Sequence, residues 1–215
     1  MSEFRNYRPS NFPPVVKYLV IINVIVFLAQ QIIDPPQVAY QPWLGLTGKL
    51  ALWPLGSPFF RSYQVITHMF THGSVQHILF NMFALWMFGR TLEGVWGSKR
   101  FLNFYLLSGI GAALINLVVQ HFMGGYASVV GASGAIMGIL VGFAYLFPNT
   151  ELFILFIPVP VKAKWAVIGY VLIDLFSGVA QVTGDNVAHF AHLGGALTGF
   201  ILVAIWNKTD HRRFY

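Results

Sequence analysis

Six times along its 215 residues the chain returns to an apolar run long enough, or nearly long enough, to cross a lipid bilayer. The runs fall at 14–33, 74–89, 99–119, 133–147, 165–182 and 187–206. A hydrocarbon core of ~30 Å takes about 20 helical residues, and backbone polar groups in lipid must be satisfied internally. These runs therefore predict an all-α polytopic membrane protein: a six-helix bundle forming one domain over 1–215. Only 9% of residues are charged, against roughly 25% in a soluble domain, so a water-soluble globule is excluded. The first run keeps Asn23 inside it and is not followed by a small-residue cleavage pattern, so it is expected to stay as the first membrane helix.

The net charge of +6 belongs to topology and not to nucleic-acid binding, because the basic residues lie between apolar runs. Arg5, Arg8 and Lys17 precede or open the first run, Arg90, Lys99 and Arg100 follow the second, Lys162 and Lys164 follow the fourth, and Lys208, Arg212 and Arg213 follow the sixth. An even number of crossings puts all of them on one side and leaves Lys49 and Arg61 for the other. The positive-inside rule then sets both termini in the cytoplasm. So compact a chain is expected in a bacterial inner (plasma) membrane. Cysteine is absent, which rules out disulfides, thiolate catalysis and Cys-ligated zinc.

Two segments depart from plain bundle geometry. The first outer loop, from Asp34 to Tyr63, carries Trp43, Trp53, Phe59, Phe60 and several prolines, and is expected to be partly embedded at the membrane interface. The fourth run, from Ser133 to Phe147, reaches only ~22 Å at ~1.5 Å per residue, so its outer end should lie below the surface. The stretch from His121 to Ala132 must then dip inward as irregular backbone, which is tolerated at that depth only inside protein or beside a watery cavity.

Gly131-Ala132-Ser133-Gly134 places a serine at the first turn of that short helix, where free N–H groups and the dipole favour a developing anion. Alone, the tetrapeptide fits an N-cap serine between packing glycines better than a nucleophile. The sixth run adds His192, Gly195 and Gly199 on one stripe, and the fourth offers Gly134, Gly138 and Gly142. Two such faces let helix backbones approach closely, as a Ser–His hydrogen bond requires. Ser133 is thus the expected nucleophile and His192 the general base. His189, one turn earlier, is not separated from His192 by spacing; the glycine stripe favours His192. His77 and Asn81 are i, i+4 partners able to hold an oxyanion with the Ser133 N–H, while His68 and His72 are expected to be structural or cavity-lining. No carboxylate is placed by spacing as a third member: Asp174 lies in the fifth run, Asp185 after it, and Glu93 beyond the second, so a dyad is expected and Asp174 has no assigned role.

Taken together, His77-x-x-x-Asn81, Gly131-Ala132-Ser133-Gly134 and His192-Leu193-Gly194-Gly195-x-x-x-Gly199 resemble the rhomboid family of intramembrane proteases. The resemblance runs from Lys17 to Trp206 and includes Gly89-Arg90-Thr91-Leu92-Glu93 and Trp96-Gly97-Ser98. It implies cofactor-free and metal-free cleavage of transmembrane segments of membrane proteins, single-span or polytopic, by Ser133 and His192, with His77, Asn81 and the Ser133 N–H as the oxyanion site. It also implies a substrate-binding and gate set in which Gly131 admits a substrate backbone and Phe176 lines a lateral gate in the fifth helix. Met137 stands in this set where the family often has an aromatic packed on the histidine, and Tyr63-Gln64 stands where it often has Trp-Arg. Two other classes compete: a haem or metal protein using His68, His72, His77, His189 and His192, which leaves the serine unexplained, and a small transporter, which predicts internal repeats the chain lacks.

Overall fold

In the computed structural model, the described residues are 11–39, 41, 43–124, 127–153, 159–180 and 188–209. Helix α1 (Pro14–Ile33) starts where Pro13 and Pro14 need no helical N–H partner, and its buried residues Val16, Leu19, Asn23, Phe27 and Gln30 form one stripe. The N–H groups of Val15 and Val16 donate to Glu93 at 2.9 and 2.8 Å, so a buried carboxylate caps α1 from another helix. Short helix α2 (Gly45–Leu50) lies in the first loop and α3 (Gln64–Thr67) directly follows it. Helix α4 (Val75–Ala84) is capped by the Ser74 hydroxyl, passes through a π turn at Leu85–Gly89 and continues as α5 (Arg90–Trp96). The bundle is completed by α6 (Ser98–Met123), α7 (Ser133–Leu146), α8 (Ala163–Ala180) and α9 (His189–Thr209). A two-residue antiparallel pairing of β1 (Glu151–Leu152) with β2 (Val161–Lys162) links α7 to α8.

The architecture is that of an all-α polytopic membrane protein. Four helices, Pro14–Ile33, Ser98–Met123, Ala163–Ala180 and His189–Lys208, are long and apolar enough to cross a membrane. The remaining two expected crossings are the 14-residue α7 and the α4–π–α5 segment, whose π turn breaks what the apolar pattern reads as one helix. The expected ends at 182 and 187, and Asp185, lie outside the described residues. Ile25, Leu28, Leu79, Phe80, Leu114, Val118, Ile173, Phe176, Phe200 and Ile201 all face outward. An apolar belt of this extent would be a large exposed patch on a soluble protein and is the surface a bilayer covers.

The glycine stripes meet as the sequence predicts in two of three positions. A methyl group at Gly195 would overlap the Gly134 carbonyl, and one at Gly199 would lie 2.5 Å from the Gly138 Cα. Gly142 instead faces Phe104 and Trp96, so the third glycine of α7 opens toward α6 and α5. Gly194 meets Ala112 and the Gly111 carbonyl, so α9 is wedged between α6 and α7 by small residues on both flanks.

Gln64 organises the first loop. It is buried, accepts from the Trp53 and Arg61 N–H groups, and donates to the Lys49 and Phe59 carbonyls. One neutral amide thus serves four backbone groups at the position where the resemblance leads one to expect a cation. Trp43 stacks on Phe59 at 5.4 Å, and Leu52 pairs in both directions with Val129 at 2.9 Å. Helix α6 runs on to Met123, so the irregular backbone starts later than His121, and only its last part, with Val129, Gly131 and Ala132 buried, is enclosed in protein and held by the first loop.

Candidate active site

Ser133 is the first residue of α7, and Ala132, not the serine, occupies the N-cap position with no side-chain cap. Its hydroxyl turns to α9 instead: Ser133 Oγ lies 2.8 Å from His192 Nε2. The capping role that a lone Gly-x-Ser-Gly suggests is therefore not the one the side chain takes. Behind this pair the Gly134–Gly195 and Gly138–Gly199 contacts bring α7 and α9 together backbone to backbone, which is why a short serine side chain reaches an imidazole on another helix.

Gly131 has φ +121°, a conformation L side chains rarely adopt, and its N–H donates to the His68 carbonyl at 2.9 Å. A Cβ there would sit 2.7 Å from the His77 ring and 3.6 Å from Ser133 Oγ, so this bare backbone separates His77 from the serine. Asn81, one turn after His77, gives one amide N–H to the His77 carbonyl at 2.9 Å and keeps a second. His77, Gly131, Ser133 and His192 are thereby gathered at the N-terminal end of α7, with Asn81 one helical turn from His77.

The other residues singled out from sequence fall elsewhere. Met137 is only 1% exposed inside the bundle, while Phe176 is 72% exposed on the outer face of α8. His68 donates from Nδ1 to the Gln64 carbonyl at 2.9 Å and is pushed down to about 4 by burial. His72 meets His77 edge-on at 5.1 Å and is pushed down to about 3 by burial and then by the like charge of His77. Both are neutral at pH 7. Among the described residues no three His, Asp or Glu side chains have the arrangement of a metal centre.

Two residues of α8 that the sequence reading left without a role touch His192. Asp174, 2% exposed, has Oδ2 at 3.1 Å from His192 Nδ1 and Oδ1 at 2.6 Å from His189 Nδ1. Tyr170, one turn before Asp174, sets its ring at 6.3 Å and 65° to the imidazole. The aromatic neighbour of the histidine thus comes from α8, while Met137 fills the position on α7. The available signal was the i, i+4 spacing of Tyr170 and Asp174 in an otherwise apolar helix.

Residues 60–208 match the family model described as the Rhomboid domain. The chain belongs to the rhomboid family, whose fold is that of an intramembrane protease. It is 33% identical over 139 residues to Rhomboid protein 1, mitochondrial, of Saccharomyces cerevisiae, covering 64% of this chain and 40% of that protein. It is 33% identical over 148 residues to Presenilin-associated rhomboid-like protein, mitochondrial, of Homo sapiens, covering 66% of this chain and 38% of that one. To Rhomboid-like protein 11, chloroplastic, of Arabidopsis thaliana it is 28% identical over 223 residues, covering 94% and 69%. The chain thus spans about two fifths of the length of the first two relatives. These names overturn the bacterial plasma membrane expected from the chain's compactness, since they assign the relatives to mitochondria and a chloroplast. Compactness reports chain length and carries no information on compartment. The cytoplasmic label for the positively charged side falls with it; the asymmetry of charge remains.

Proposed function

We propose that this chain is an intramembrane serine endopeptidase that cleaves transmembrane segments of other membrane proteins. The observation that carries the reading is the 2.8 Å contact between Ser133 Oγ and His192 Nε2 at the start of a short helix. A serine hydroxyl becomes an effective nucleophile only when a base within ~2.6–3.2 Å takes its proton as it attacks. His192 Nε2 would take that proton while Ser133 Oγ bonds to the scissile carbonyl carbon, and return it to the leaving amine. Water, with the same base, then hydrolyses the acyl-enzyme. The negative charge on the carbonyl oxygen would meet the Ser133 N–H, the His77 ring and the second N–H of Asn81, with the α7 dipole behind them. Gly131, bare of a side chain between His77 and Ser133, would let an extended substrate backbone come close, and exposed Phe176 on α8 suits the flank along which a lipid-embedded segment arrives.

The test is cleavage of a single-span membrane substrate in lipid vesicles. Ser133→Ala and His192→Ala should each lower kcat by at least ~10³-fold, and His77→Ala and Asn81→Ala by ~10²–10³-fold with little change in KM. Retained cleavage by Ser133→Ala would reject the nucleophile, and loss in His189→Ala with retention in His192→Ala would move the base by one turn.

A further inference from the structure

The contacts at His192 continue beyond the serine. From Ser133 Oγ the line runs 2.8 Å to His192 Nε2, across the ring, and 3.1 Å from Nδ1 to Asp174 Oδ2. We infer that Asp174 is a positioning carboxylate for His192, so that the proposed peptidase operates with a Ser–His–Asp triad whose third member comes from α8. The inference rests on the serine-peptidase reading and deepens it.

An ionised carboxylate only accepts hydrogen bonds. Its contact with Nδ1 therefore requires the proton of a neutral His192 to sit on Nδ1, which leaves Nε2 as the lone pair facing the Ser133 hydroxyl. Asp174 thus selects the tautomer a base needs and holds the ring plane. When Ser133 gives its proton to Nε2, the resulting imidazolium lies 3.1 Å from the Asp174 carboxylate. Burial argues the same way: an isolated carboxylate at 2% exposure in an apolar helix is costly, and here each oxygen faces an imidazole nitrogen. Tyr170 presses on the same ring from the same face of α8.

The shorter contact from Asp174 goes to His189, at 2.6 Å. That distance supports a plainer role, a latch fastening α8 to the start of α9, and the two roles predict different kinetics. The groups facing His192 are Ser133 on α7, His77 on α4, Tyr170 and Asp174 on α8, and His189 through the shared carboxylate.

The experiment uses the full chain in lipid vesicles with a single-span substrate. It compares Asp174→Asn, Asp174→Glu and His189→Ala for kcat, KM and thermal midpoint, and reads the His192 ring protonation by NMR of ¹⁵N-histidine protein. Asp174→Asn should lower kcat ~10²–10⁴-fold with KM within about threefold, because an amide N–H facing Nδ1 favours the wrong tautomer. Asp174→Glu should restore part of that rate, and His189→Ala should cost much less. In the parent, His192 should carry its proton on Nδ1. Equal loss of thermal midpoint in Asp174→Asn and His189→Ala with unchanged kcat leaves only the latch and overturns the inference. A parent His192 protonated on Nε2 overturns it even if no Asp174 variant folds. Ser133→Ala separates the two levels: its retained cleavage removes the peptidase reading, while the tautomer is read without any turnover.

Discussion

Helices α7 and α9 meet backbone against backbone, whereas α8 reaches its neighbours through side chains. At Gly195 and Gly199 no space exists for a methyl group, while Gly169 of α8 has nothing within 4 Å of where its Cβ would stand. Helix α8 buries only Ala163, Val167, Asp174 and Gly178, and an apolar hollow of about 580 Å³ lies between it, α7 and α9. The difference teaches how the work is divided. Serine and imidazole sit on the two helices in close backbone contact, and the carboxylate comes from the loosely packed α8. On the proposed reading, a base fixed to its nucleophile by backbone contact keeps a distance that side-chain packing alone would let drift by the ~1 Å that matters for reaction.

The comparison is broken most severely by Gly195→Ala. The new methyl collides with the Gly134 carbonyl, and neither partner is the flexible end of a side chain, so α7 and α9 must move apart. Destabilisation above ~3 kcal/mol, beyond usual core overpacking, is expected together with loss of cleavage as the 2.8 Å contact opens. Thermal unfolding in detergent alongside turnover checks this, and a stable, active Gly195→Ala would mean the interhelix contact does not set the site.

Much of this rigid half was legible in the sequence, and the reason is local. Within one helix, i, i+3 and i, i+4 spacing dictates which residues share a face, so Gly195 and Gly199 with His192, or Asn81 with His77, follow from counting. Spacing within a helix does not give its rotation against a neighbour. Gly142 turned to Phe104 and not to α9, and Asp174 met His192 although the two residues share no periodic relation. Gln64 was equally hidden, since its amide satisfies four backbone groups whose proximity only the folded loop creates. The π turn at Leu85–Gly89 lies in an apolar run indistinguishable by composition from an uninterrupted helix.

Acid should probe the segment that leads into α4, with a smaller effect. His68 and His72 are buried neutral, pushed down to about 4 and about 3 by burial, whereas in an unfolded chain they titrate near 6.5. Between those values the unfolded state binds more protons, so stability is full above about pH 6.5 and declines as pH falls toward 4. The two together should cost about 2 kcal/mol from pH 6.5 to 5.5. His68→Gln, which can still donate to the Gln64 carbonyl, should flatten roughly half of that slope in denaturation measured at each pH. An unaltered slope would mean the ring is already accessible to protons in the folded state.

The smallest effect sharpens the contrast from the loose side. Gly169 lies mid-helix in α8, and a methyl group there meets open space, so Gly169→Ala removes backbone entropy from the unfolded chain without a collision. It should raise stability by ~0.5–1 kcal/mol, the helix-interior difference between glycine and alanine. Because Tyr170 and Asp174 follow on the same helix, the change in turnover separates two origins of the loose packing. Unchanged kcat means the looseness of α8 is merely tolerated, its bearing on His192 being fixed by the Asp174 contact alone. A stabilised but slower variant means that backbone freedom in α8 is itself used during turnover.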